Sequence, residues 1–220
     1  NDINSRYLSN YFSGVVAYDN GDTEEALKFF KSSKILIKKH NPYLKRYIYT
    51  LVLEGKFQQA TSEIKKNLND NSNFFEAHLM LALESLKKKD YEKSKTHLEQ
   101  SYKFIENDRL PLIIYETLKD YLYVFEENKI PELKQKFGNF SFINEVFQRC
   151  YLEEINTKAY FEKLIHHQDD KNYSRYIFFY INYLIENNRY KEAKEVTDNL
   201  DYLNLPLLIS QGKKWIEDKK

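Results

Sequence analysis

The sequence returns on itself every 34 residues. "GDTEEALKFF" begins at Gly21, "GKFQQATSEI" at Gly55 and "KDYEKSKTHL" at Lys89, with "NRYKEAKEVT" closing the series at Asn188. A fixed period of this size belongs to repeat architectures, in which each unit buries its apolar face on the next. Three segments align without gaps at this spacing: 7–36, 41–68 and 73–102. Each divides into two halves of about 14 residues with apolar positions at i, i+3, i+4 and i+7. Tyr11, Gly14, Val15 and Tyr18 form one such set, and Leu44, Tyr47, Ile48 and Leu51 the next. The connections are too short for anything but antiparallel neighbours. Ala26, Ala60 and Ser94 put a small residue at one site of each second helix, followed four later by Phe30, Ile64 and Leu98. A small side chain lets the partner helix approach, and the larger one fills the gap a turn away.

The C-terminal half keeps the pattern less regularly. Residues 173–200 form a unit with Ala193 at the small site, and 142–165 form another with Ala159, again 34 residues earlier. Between them and the first three units lies the deviant stretch 109–140. It predicts a long first helix over about Leu110–Glu127, then a short second one opened by Pro131 and ended by Gly138. Such unequal helices predict a break in the stack, with Phe137, Phe140 and Phe142 packed beneath it. Helical pairs are thus expected at about 7–37, 41–69, 73–106, 110–138, 141–167 and 172–200, with a last helix near 204–218. The organisation expected is one continuous array: three regular units over 1–108, an irregular unit over 109–140, and two further units with a terminal helix over 141–220.

Composition supports long helices: the chain has only 5 Gly and 4 Pro in 220 residues. It is 42% hydrophobic and 30% charged, which fits a folded chain rather than a disordered one. A net charge of +1 lacks the footprint of a nucleic-acid binder, and "LKKKD" (86–90) and "IKKH" (37–40) read as basic helix ends. The longest apolar run, 176–185, is about half a membrane span and carries Asn182. The chain begins at Asn1 rather than Met, from which the expectation is that something upstream was removed; a cleaved signal peptide would imply the periplasm, and its absence leaves the cytoplasm, a choice the sequence leaves open.

No motif for chemistry is present. Clustered glycines for a phosphate loop are absent, and no nucleophile motif occurs. The single Cys150 sits among Phe147, Tyr151 and Leu152 and reads as a buried structural thiol. In "HHQDD" (166–170) the adjacent His166 and His167 diverge by about 100° on a helix and do not converge on one metal ion. The expectation is a chain without catalytic activity, cofactor or metal.

The 34-residue helix–turn–helix unit, the Gly21-Asp22 turn and the Ala26-x3-Phe30 signature resemble the tetratricopeptide repeat. The resemblance implies an all-α, right-handed α-solenoid of about six antiparallel helix pairs plus a C-terminal helix. It also implies that one face of the first helices lines a concave groove. That face carries Leu8, Tyr11, Val15 and Tyr18, then Lys45, Tyr49 and Val52, then Leu79, Leu83 and Leu86, and finally Arg175, Phe178, Asn182 and Ile185. An aromatic and aliphatic stripe there suits a peptide or helix of a protein partner. Some members of the family grip chaperone C-termini with a Lys/Asn/Arg clamp; here those sites hold Tyr11, Val15 and Tyr49, which argues against that ligand. The function expected is a non-enzymatic protein-interaction scaffold. The alternatives are a structural repeat region of a longer chain whose other domain carries the activity and, less favoured, an RNA-binding helical repeat.

Overall fold

The computed structural model describes residues 4–69, 73–105, 108–132, 137–165, 176–198 and 217. The described residues are helical throughout, with no strand. In order the helices are α1 (Ser5–Asp19), α2 (Thr23–Ser32), a 3₁₀ segment (Lys34–Lys38), α3 (Asn41–Leu53), α4 (Phe57–Asn67), α5 (Phe75–Lys87), α6 (Tyr91–Tyr102), α7 (Arg109–Glu127), α8 (Asn139–Tyr151), α9 (Thr157–Ile165), α10 (Ile177–Glu186) and α11 (Tyr190–Asp198). None of the described helices is long and apolar enough to cross a membrane. The chain divides into two compact units, Asn1–Leu122 and Tyr123–Lys220, with the division inside α7.

In the N-terminal unit α1 packs on α2, α3 on α4 and α5 on α6, while α2 meets α3 and α4 meets α5. The turns within pairs share one backbone device. Gly21, Gly55 and Lys89, at the repeat spacing, all have positive φ (80°, 68° and 59°). In the first turn Gly21 N–H donates to Tyr18 C=O at 3.0 Å and Asp22 N–H to Ala17 C=O at 2.9 Å. The same pair of bonds recurs at Gly55–Lys56 and at Lys89–Asp90. This is the Schellman helix stop, which satisfies the last carbonyls of the outgoing helix. The following residue then opens the next helix: Asp22 Oδ1 accepts from Glu25 N–H at 3.0 Å, and Asp90 Oδ1 from Lys93 N–H at 3.2 Å. Lys89 occupies a position that favours glycine. Lys89→Gly is therefore expected to stabilise the unit by about 0.5–1 kcal/mol in urea unfolding; an unchanged or lower midpoint would contradict this.

The small sites are where the repeat puts them. Ala26, Ala60 and Ser94 are fully buried, and Ser94 Oγ donates to Ala82 C=O at 2.8 Å. Phe30 and Ile64 lie buried one turn on. Gly14 is small because Phe30 lies against it: a Cβ there would stand 3.0 Å from Phe30 Cε1. Tyr115, Leu118 and Leu122 of α7 close the far end in one apolar cluster with Phe75, Ala82 and Leu98.

In the C-terminal unit α8 packs on α9, α9 on α10 and α10 on α11, around Val146, Phe161, Leu164, Tyr180, Ile181 and Leu184. The Schellman device returns at Asn188 (φ 58°) and Glu153 (φ 54°). Ala193 is fully buried, as expected. Ala159 is exposed, however. The buried small residue of α9 is Thr157, four before the buried Phe161, with its Oγ1 donating to Arg149 C=O at 3.1 Å. The turn after Glu153 is longer than its counterparts, and the small site falls on the first residue of α9, two residues before the position the period gives. Lys158 ties α9 to α11 through Glu192 at 2.5 Å, and Arg189 donates twice to the same carboxylate at 2.7 Å. These bonds, Arg189's first and Lys158's second, hold the Glu192 carboxyl down to about 2. Their contribution is complete above the usual carboxylate value of about 4 and is lost as pH falls toward 2. Glu192→Gln is expected to flatten the fall in stability across that window; an unchanged slope would contradict the pairing.

The deviant stretch departs from its expected form. The long helix is present as α7, but Pro131 and Glu132 are not helical, and 133–136 lie outside the described residues. Gly138 does not end a helix. Its φ of 59° and ψ of −130° place it at the N-cap of α8, outside the left-handed helical region. "FGNFSF" therefore opens a helix, with Phe137 half-buried. Phe140 is 58% exposed, whereas Phe142 is half-buried beside Tyr160 with ring centroids 6.1 Å apart. The last helix expected near 204–218 lies outside the described residues, Glu217 apart, as do both histidines of "HHQDD".

Candidate partner-binding groove

An apolar groove of about 640 Å³ opens between α3, α4 and α5 in the N-terminal unit. Val52 lies on the last turn of α3, with one side on the core. The Schellman turn at Gly55 reverses the chain and sets Phe57 as the first residue of α4, where its ring is 55% exposed. Thr61 follows one turn on and is buried. Across the groove, α5 presents Met80, Leu83, Glu84 and Lys87 at i, i+3, i+4 and i+7, which puts all four on one face. Leu83 is 46% exposed. The groove falls within the range of about 300–1,000 Å³ typical of ligand sites. Covering an exposed Leu or Phe side chain contributes about 1.5–3 kcal/mol, so Phe57 and Leu83 together are the principal unspent apolar surface here.

One end of the groove is basic. Glu84 Oε2 accepts from Lys65 at 2.6 Å and Oε1 from Lys88 at 2.9 Å. The Lys65 hydrogen bond first, and the Lys88 bond next, hold the Glu84 carboxyl below the usual carboxylate range. Glu84 is therefore ionised at neutral pH. Two ammonium groups, on Lys65 and Lys88, thus share a single carboxylate, and Lys87 lines the groove beside them.

Of the stripe anticipated from sequence, Val52 and Leu83 line this groove. Tyr11 does not contribute to any surface: it is 4% exposed, stacked on Tyr43 with centroids 5.8 Å apart and edge-on to His40 at 4.7 Å. Leu8, Val15, Tyr18 and Tyr49 are half-buried against the same core. Leu79 and Leu86 are half-buried against the α5–α7 cluster. Lys45 is exposed, 3.7 Å from Glu76 and over the Tyr49 and Phe74 rings at 5.4 and 5.7 Å. The Tyr49 hydroxyl donates to Glu76 at 2.5 Å, so this part of the stripe joins α3 to α5. In the C-terminal unit Asn182 is exposed and lines a more polar cavity of about 540 Å³ with Phe147, Phe179 and Cys150. Phe178 is half-buried, edge-on to Phe179 at 5.7 Å, and Ile185 is buried. Arg175 lies outside the described residues. Burial pushes the Cys150 thiol up, which disfavours the reactive thiolate.

Phe57, Met80, Thr61 and the two lining lysines were not anticipated. A signal for Phe57 exists: it is the first residue of its helix, as Tyr91 and Tyr190 are of theirs. Compared with known protein families, curated proteins and solved structures, the chain matches none of them.

Proposed function

We propose that the protein is a non-enzymatic interaction scaffold, built as a tetratricopeptide-like right-handed solenoid of antiparallel helical pairs, and that the groove between α3, α4 and α5 receives a peptide or helix from a protein partner. The observation that carries this reading is the pairing of Phe57 and Leu83, two large exposed apolar side chains lining one concavity together with Val52 and Met80. The recurrence of one Schellman turn at Gly21, Gly55, Lys89, Glu153 and Asn188 supports the repeat architecture. Stacked units of this kind form grooves between neighbours without dedicated loops. A helix is the better occupant, because the described residues offer no strand edge for an extended peptide to extend.

The test is a fluorescence-anisotropy titration with a labelled helical peptide bearing leucine at i, i+3, i+4 and i+7. Leu83→Asp places a charge in the groove without disturbing the core and should weaken binding by at least about tenfold. Helical circular dichroism of the variant should be unchanged. Equal binding by both proteins would remove this groove as the site.

A further inference from the structure

Resting on the groove reading above, we infer that the occupant is an acidic amphipathic helix: an apolar stripe seated on Phe57 and Leu83, with carboxylates reaching Lys87 and Lys88. The apolar floor alone would accept any amphipathic helix. The charges select among them. Lys87 and Lys88 both line the groove, and Lys65 joins them through Glu84. Glu84 is already satisfied by two ammonium groups at 2.6 and 2.9 Å, so it is a weak acceptor for a cation arriving on the partner. Lys87 is exposed, and no ion pair to it is formed among the described residues. A helix with Lys or Arg on its polar face would meet three like charges, and like charges across an interface disfavour the wrong partner. A helix with Glu or Asp there would meet an unpaired Lys87 and a Lys88 able to share a second carboxylate.

The position of the lysines on α5 sets a polarity as well. Met80 and Leu83 precede Lys87 by two and one helical turns on one face, so apolar and basic ends follow one another along the groove. An occupant lying along α5 would carry its leucines toward Met80 and its carboxylates toward Lys87.

Two helical peptides decide the point, identical in their leucine stripe but with glutamate or lysine on the polar face. The glutamate peptide is expected to bind wild-type protein at least about tenfold more tightly at low salt. The preference should shrink at about 1 M salt, where the screening length is about 3 Å. The double substitution Lys87→Glu and Lys88→Glu should reverse the preference, with Leu83→Asp weakening both peptides alike. Equal affinity of the two peptides would overturn the acidic occupant and leave the groove reading standing. Binding of neither would overturn both. A concentration-dependent dimer in sedimentation that Leu83→Asp dissolves would seat a second copy of the chain in the groove and also overturn the inference.

Discussion

Phe30→Ala is expected to lower the stability of the N-terminal unit by about 3–5 kcal/mol, the usual cost of truncating a fully enclosed ring. Phe30 has no exposed surface. Its ring is edge-on to Tyr43 and tilted against Tyr11, both at 5.9 Å, and presses on the bare Cα of Gly14. It thus contacts α1 and α3 while belonging to α2. The surroundings have little freedom to collapse into the void. Tyr43 is pinned because its hydroxyl donates to the Phe30 carbonyl, and Gly14 has no side chain to move. The control is Phe12→Ala on the outer face of α1, where the ring is 60% exposed and the change should stay within about 0.5 kcal/mol. Denaturant unfolding followed by circular dichroism measures both. A loss below about 1 kcal/mol for Phe30→Ala would mean that α2 does not lock the first two pairs together.

Arg149→Ala should cost the C-terminal unit about 2–4 kcal/mol, because it strands two carboxylates at once. The Arg149 side chain is only 15% exposed. Nε and Nη2 donate to Glu145 at 3.0 and 2.7 Å, and Nη1 donates to Glu154 within the turn. The guanidinium also lies 4.1 Å over the Tyr160 ring, where a planar cation is well held. One side chain therefore links α8, the unusually long turn and α9. Arg149→Lys should recover less than half of the loss, since an ammonium cannot fork to two carboxylates and stack on a ring together. Full recovery by lysine would show that charge alone matters there.

The repeat was legible because it rests on backbone demands. A left-handed residue must end each first helix, and glycine or asparagine at Gly21, Gly55 and Asn188 announces it. Lys89 and Glu153 do not, and only the period exposed Lys89. The register of α9 is ambiguous in sequence for a related reason: Thr157 is small enough for the close-approach site and takes it, although Ala159 has the more typical residue type and the exact spacing. Gly138 read as a helix stop because the residue type permits both a stop and a start, and its ψ of −130° decides for the start. The groove was half legible. Val52 and Leu83 follow from the face of the first helices, whereas Tyr11 obeys the same spacing yet is buried by Tyr43 and His40, which arrive from the next unit. Phe57 lies off that face, because α4, a second helix, supplies it.

Chemical-shift mapping of isotope-labelled protein against the glutamate-faced helical peptide tests the account most directly. The largest perturbations are predicted at Val52, Phe57, Thr61, Met80, Leu83 and Lys87, with the exposed Phe12 and Val16 of α1 unaffected, and the whole pattern should vanish in Leu83→Asp. Perturbations centred on α1, or scattered over the surface and indifferent to Leu83→Asp, would contradict it.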